Sequence, residues 1–296
     1  MRHQIFIAVA LLNILCWGNL FAQEITFSKE KFSNKGTTLL YRKADISGLE
    51  NKAMLVIYLH GGSSKGNDNE LQMQEPGVNA VATWLYQNNH KAIMLVPQCP
   101  QDKSWLGTMQ DLIVLLLQSY IDRDVVDATK VFILGGSMGG TGTWNMLSNH
   151  PELFAAAMPV AGNPTGLDAE AVSQTPIYTV MGTADRIMKI SNVEAFLGQM
   201  DNYNAEYEFD IEDGWTHEDV CKQSYTDIRL DWLFQHTKES ATAINGVVSD
   251  DCNIDKVVWF TTSGQRLASE PMQGGLYIKK SFYSDGSTSS EKLYIK

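Results

Sequence analysis

Ser137 lies in the run Leu134-Gly135-Gly136-Ser137-Met138-Gly139-Gly140, after an apolar stretch and before one that reads as helix. A serine hydroxyl is a weak nucleophile until a neighbouring base takes its proton. At the apex of a tight strand-to-helix turn it is lifted above the strand ends. Gly135 and Gly139 remove the Cβ atoms that would crowd such a turn. A helix starting at Met138 aims its first amide N–H groups at the apex. The chemistry open to this serine is acyl transfer. The plainer alternative is a glycine-rich turn that does no chemistry.

A base is needed, and six histidines narrow the choice. His3 belongs to an apolar leader. His90 and His150 sit beside Asn89 and Pro151 and read as helix caps, and His236 suits the end of a helix. His60 reads as a brace in the loop after the first core strand rather than as a second base. His217, in Asp213-Gly214-Trp215-Thr216-His217, lies between the last predicted strand and the last helix, and helix capping is its alternative role. To orient it, Asp185 in Gly182-Thr183-Ala184-Asp185 turns off the end of a strand. Asp213 is the fallback, and an Asx turn is the plain role for Asp185. Small residues in His60-Gly61-Gly62-Ser63 allow a backbone donor to approach an oxyanion. The expected donors are the amides of Gly62 and Met138, with Ser63 the one-position alternative to Gly62. Trp105 and Trp215, with Tyr86, are candidate substrate-stacking rings, although aromatics are more often core.

The elements that must position these groups alternate along the chain. Apolar strands are expected at 53–59, 92–96, 130–134, 154–160, 177–181 and 205–211. Helices are expected at 78–87, 109–121, 138–148, 191–200 and, as one long helix, 218–236. A hairpin around Asn34-Lys35-Gly36 precedes them. Near-continuous apolar strands between helices predict an α/β fold, a mostly parallel sheet with helices on both faces. From about residue 237 the pattern changes. A polar linker at 238–255 leads to a small C-terminal β appendage at 256–296, so the main domain is expected over 23–237.

Composition sets further bounds. A net charge of −11 provides no basic excess to neutralise phosphates, which argues against a nucleic-acid partner and against anionic membranes. Residues 1–22 read as an export signal, with cleavage after Ala22 and a membrane anchor as the alternative. Once it is removed, no membrane insertion is expected. The remaining Cys99, Cys221 and Cys252 allow at most one internal disulfide; Cys221–Cys252 and free thiols are the options. No metal-ligand spacing occurs, and the chemistry requires no metal and no organic cofactor.

Further motifs carry a resemblance. Leu59-His60-Gly61-Gly62 with Lys65-Gly66-Asn67-Asp68-Asn69, Val96-Pro97-Gln98-Cys99-Pro100 with Trp105, and Gly135 to Gly140 with Thr143-Trp144 are similar to those of bacterial secreted esterases. These are α/β-hydrolases of the polyhydroxybutyrate-depolymerase-like and feruloyl-esterase-like kind. They include carbohydrate esterase family one and a branch of predicted peptidases. The similarity covers residues 50–236. The order Ser137, Asp185, His217 is that of α/β-hydrolases. Thr216 stands where such histidine loops commonly have glycine. The resemblance implies an exported serine esterase acting on acyl or feruloyl esters of plant polysaccharide. A peptidase, or a silent carbohydrate-binding protein, is the rival reading. Ser263 to Leu267, Gly275 to Ile278 and the closing Lys292-Leu293-Tyr294-Ile295-Lys296 resemble a type IX secretion sorting domain, so secretion machinery is an expected partner. A structural β tail or a sugar-binding appendage is the alternative there.

Overall fold

The computed structural model describes residues 25–238, 254–261, 267, 269–283 and 288–295. The expected export signal at 1–22 and Cys252 lie outside the described residues, as does most of the expected linker.

The chain opens with the expected hairpin. Strands β1 (Ser28–Asn34) and β2 (Thr37–Ile46) flank Lys35 and Gly36, whose φ angles of 46° and 82° are both positive. That turn follows the right-handed twist of paired strands. Strand and helix then alternate: β3 (Ala53–Leu59), α1 (Pro76–Gln87), β4 (Ala92–Gln98), α2 (Thr108–Asp122), β5 (Val126–Gly136), α3 (Met138–Asn149) and β6 (Ala156–Val160). There follow α4 (Ala169–Val172), β7 (Ile177–Gly182), α5 (Ile190–Met200), β8 (Tyr207–Glu212), α6 (His217–Gln223) and α7 (Asp227–Phe234). One eight-stranded sheet runs in the order β1-β2-β4-β3-β5-β6-β7-β8. From β4 to β8 all neighbours are parallel; β1 and β2 are antiparallel at one edge.

The unbroken apolar runs arise because both sheet faces are covered. In β3, Leu55, Ile57 and Leu59 face the core built with α2, α3 and α5, while Met54, Val56 and Tyr58 face the one built with α1, α6 and α7. All of these are fully buried, and each Leu, Ile or Val contributes about 1.5–3 kcal/mol by leaving water. The two layers create a switch point. From β3 the chain passes through α1 to β4 on one side of β3, and β5 then pairs on its other side. The loops leaving β3 and β5 therefore diverge to opposite faces and open a crevice at their carboxyl ends. His60-Gly61-Gly62 and Ser137 stand there.

Two expectations need correction. The strand expected at 92–96 runs to Gln98, because β2 pairs with it that far, Tyr41 opposite Pro97 and Leu40 opposite Gln98. The single helix expected over 218–236 is two helices, broken at Ser224-Tyr225-Thr226. Ser224 caps α6, its hydroxyl donating to Val220 O at 2.6 Å, and Tyr225 turns inward to meet the Tyr58 hydroxyl at 3.1 Å. Burying that ring with its hydroxyl paired decides the break.

A separate three-stranded antiparallel sheet, in the order β11-β10-β9, comprises β9 (Ile254–Thr261), β10 (Gly275–Tyr283) and β11 (Thr288–Ile295). Cys99 and Cys221 are free thiols. Among the described residues, no helix is long and apolar enough to cross a membrane.

Candidate active site

The turn after β5 holds Ser137 at φ 58° and ψ −117°, a strained conformation for a residue with a side chain. Its own N–H donates to Val160 O at 3.0 Å, and Thr141 N–H closes the first helical bond onto Ser137 O at 2.9 Å. These bonds hold the strain in place. The turn also has no spare room. A Cβ on Gly139 would lie 1.9 Å from Leu59 O, and one on Gly135 would lie 2.6 Å from the same atom. Backbone atoms of β3 cannot yield as a side chain could. Gly139→Ala is therefore expected to cost about 3 kcal/mol or more, read as a lower urea midpoint at unchanged m. A midpoint equal to wild type would show that the turn relaxes freely.

The Ser137 hydroxyl makes no capping bond to α3 and meets His217 instead, 2.7 Å from its Nε2. His217 is the first residue of α6. Thr216 caps that helix, accepting from Asp219 N–H while Asp219 Oδ2 accepts from Thr216 N–H at 3.0 Å. This reciprocal box fixes the ring's starting point and explains how a threonine serves where glycine is common. His217 Nδ1 lies 2.8 Å from Asp185 Oδ2. The other oxygen, Asp185 Oδ1, accepts from the amides of Ile187 and Met188 at 2.7 and 2.9 Å. The Asx turn and the histidine contact thus coexist, one oxygen for each. An ionised carboxylate offers only acceptors, so paired at Oδ2 it calls for the tautomer that carries Nδ1–H. In that tautomer Nε2 is the bare nitrogen facing the Ser137 hydroxyl.

Backbone bonds tie the Asp185 and His217 loops together. Ala184 N–H donates to Trp215 O at 3.0 Å, Thr183 N–H donates to Glu212 O at 3.0 Å, and Gly214 N–H donates to the Thr183 hydroxyl oxygen at 2.7 Å. Gly182 permits this approach, since a Cβ there would lie 2.2 Å from Trp215 O. Asp213, the fallback acid, accepts from the Thr183 hydroxyl at 3.0 Å instead of meeting His217. Arg229, unforeseen in the sequence, is buried behind this region. Its guanidinium binds Asp210 and Glu212 of β8 and donates to Ser224 O at 3.3 Å.

Across the crevice, Gly62 begins a 3₁₀ turn, Gly62–Ser64, and Met138 begins α3. The first N–H of each helix lacks an intrahelical acceptor, as an oxyanion donor requires. Gly61 N–H is taken by Glu75 Oε1 at 3.0 Å, which leaves Gly62 and Ser63 as the candidates on this side.

His60 is a wholly buried brace. Its Nδ1–H donates to Gly61 O at 2.6 Å, and its Nε2 accepts from Cys99 N–H at 2.9 Å. A second ring proton would face the Cys99 N–H. Burial, with a small contribution from the Lys65 charge and against the Gly61 hydrogen bond, lowers the His60 pKa from the ordinary 6.5 to about 4. The unfolded chain therefore takes up this proton first as pH falls. Stability is expected to fall from pH 6.5 towards 4, by roughly 3 kcal/mol across the window, with no contribution from this ring above 6.5. Melting temperatures between pH 7.5 and 5 test this. His60→Gln, though less stable, should show a flatter profile, and an equally steep one would place the acid sensitivity elsewhere.

The cleft holding Ser137 and His217 has a volume of about 560 Å³, within the ordinary range for small-molecule sites. Its apolar wall includes Leu71, Pro76, Ile187 and Cys221, and Ile187 is 66% exposed. Glu218 and Lys222 pair at its edge. The expected stacking tryptophans are elsewhere. Trp105 is 1% exposed, its ring against His60 and its Nε1–H donating to His60 O at 2.9 Å, so it seals the loop from behind. Trp215 packs against the second core with Arg229 Cζ 6.0 Å from its ring, and is not part of the cleft wall. Tyr86 lines a separate hollow with Ile25, Lys43 and Ile46. His90, expected to cap a helix, pairs with Glu50 at 2.6 Å and stacks on Trp84.

The sheet order, the crossovers and the strand-to-helix serine turn define an α/β-hydrolase fold. The chain belongs to the dienelactone hydrolase family, whose model matches residues 67–243. A thermostable esterase of known structure is 25% identical, with a TM-score of 0.66 over 72% of this chain and 63% of that one. A feruloyl esterase module from Clostridium thermocellum, solved with sinapinate, is 15% identical with a TM-score of 0.56, over 72% of this chain and 89% of that one. A bifunctional acetylxylan esterase/xylanase from Neocallimastix patriciarum is 33% identical over 72 residues, 24% of this chain and 11% of that protein. The chain thus spans under two thirds of the thermostable esterase and about a tenth of the bifunctional enzyme.

Proposed function

We propose that the chain is a serine carboxylic-ester hydrolase with Ser137, His217 and Asp185 as its catalytic triad. The observation that carries this is the continuous chain of contacts from Ser137 Oγ through His217 to Asp185, set on three different loops at one end of the sheet. Ser137 Oγ attacks the ester carbonyl while His217 Nε2 takes its proton. The carbonyl oxygen becomes an oxyanion and accepts from the amides of Gly62 and Met138. As the tetrahedral adduct collapses, the ester C–O bond breaks and His217 returns the proton to the departing alcohol. Water then attacks the acyl-serine while His217 takes its proton; the acyl C–Oγ bond breaks, His217 returns the proton to Ser137 Oγ, and the acid leaves. No metal or organic cofactor takes part in these steps.

The substrates proposed are acyl or feruloyl esters of plant polysaccharide, reached by export through residues 1–22. Support comes from the esterase relatives and from the apolar cleft wall, which suits an acyl or phenolic group. Residues 256–296 are proposed as a sorting tail recognised by secretion machinery. Purified protein should be assayed side by side on acetylated xylan, methyl ferulate and short peptides. Release of acetate or ferulate with the peptides intact supports the reading; peptide cleavage with the esters untouched refutes it.

A further inference from the structure

Glu75 is an unusual residue for the place it occupies. It caps α1, where Ser, Thr, Asp or Asn would satisfy the helix N–H groups, yet its side chain caps nothing. Instead its carboxylate turns to the loop after β3. Oε1 accepts from Gly61 N–H at 3.0 Å and from the Ser64 hydroxyl at 2.6 Å. The residue is 8% exposed, and Pro76 at the first helical position fixes the backbone behind it. One oxygen thus grips both ends of the turn that presents Gly62, while Gly61 and Ser64 close it with a backbone bond of 3.2 Å. Gly61-Gly62-Ser63-Ser64 is otherwise a run of small, permissive residues with little to hold one conformation. The α1 N-terminus favours negative charge at Glu75, and the buried oxygen is useful only if the loop stays where it is.

Glu75 borders the cleft, but its Oε1 is taken by loop atoms, and we infer that it is a positioning residue that locks the oxyanion-binding turn, acting through Gly61 and Ser64 rather than on substrate. The inference rests on the esterase reading. It concerns preorganisation, so its effect belongs to the transition state. Loss of a whole oxyanion donor costs about 100- to 1000-fold in kcat, and loosening one should cost less. Glu75→Ala is expected to lower kcat on p-nitrophenyl butyrate by about 30-fold with KM changed by less than about threefold. Affinity for phenylboronic acid, which forms a tetrahedral adduct, should weaken by a similar factor. Glu75→Gln retains an accepting Oε1 and should recover most of the rate. Ser64→Ala removes one of the two bonds and should give a smaller loss on kcat, which keeps the test open if Glu75→Ala does not fold. Wild-type kcat in Glu75→Ala, a loss carried by KM alone, or a Gln variant as impaired as Ala overturns the inference. Ser137→Ala, assayed in parallel, separates the two claims: if it stays active the reading of Ser137 as the esterase nucleophile itself fails, and if it is dead while Glu75→Ala is normal only the positioning role fails.

Discussion

Ser137→Ala is expected to lower ester turnover by about four to six orders of magnitude, with the loss on kcat. The size follows from what the hydroxyl does alone. With no oxygen at the apex of the turn there is no atom to form the acyl intermediate, and His217 has no proton to take. What survives is binding and the oxyanion donors, which leave a modest rate above that of water. The substitution should be nearly silent structurally. Alanine keeps the Cβ already accommodated at φ 58°, and the hydroxyl makes no helix-capping bond. Equal melting temperatures with kcat on p-nitrophenyl butyrate reduced as stated would match this account. Turnover within tenfold of wild type would show that another group carries the reaction.

Asp185→Asn should come close behind, at about 10⁴-fold in kcat. Its argument is one of tautomers. Asp185 Oδ1 accepts from the Ile187 and Met188 amides, and an asparagine oxygen can keep both bonds. The amide NH₂ then faces His217 Nδ1, where Oδ2 stood at 2.8 Å. Nδ1 must become the acceptor, so the ring proton moves to Nε2 and points at Ser137. A histidine in that state cannot take the serine proton. Fold and substrate affinity should be preserved. Single-turnover rates with Asp185→Asn distinguish this from a merely structural carboxylate, for which the loss would stay within about tenfold.

What could be read from the sequence was what has a strong local cause. The buried strands are continuous apolar runs because helices cover both sheet faces, as in Ala53–Leu59, whose every residue is buried. The serine turn is legible because glycine at 135 and 139 answers a backbone contact, and Asp185 and His217 follow from the loops that leave β7 and β8. Features set by tertiary packing were not legible. Ser224-Tyr225-Thr226 does not look like a helix break until Tyr58 supplies the partner that draws Tyr225 inward. Trp105, between Ser104 and Leu106, reads as a candidate stacking ring, but it is buried and its indole N–H meets the His60 carbonyl. Trp215 is two residues from His217, but its ring turns to Arg229. Glu75 belongs to no motif. Its one local sign was a glutamate before Pro76 where a short capping side chain is usual.

The most direct measurement is the site of acylation during turnover. Protein mixed rapidly with p-nitrophenyl acetate, quenched in acid and digested should carry one acetyl group, on the peptide containing Ser137 and on that residue, formed as p-nitrophenol is released in a burst of about one per chain. An acetyl group found instead on Cys221 or a lysine, or steady turnover with Ser137 never modified, would contradict the account.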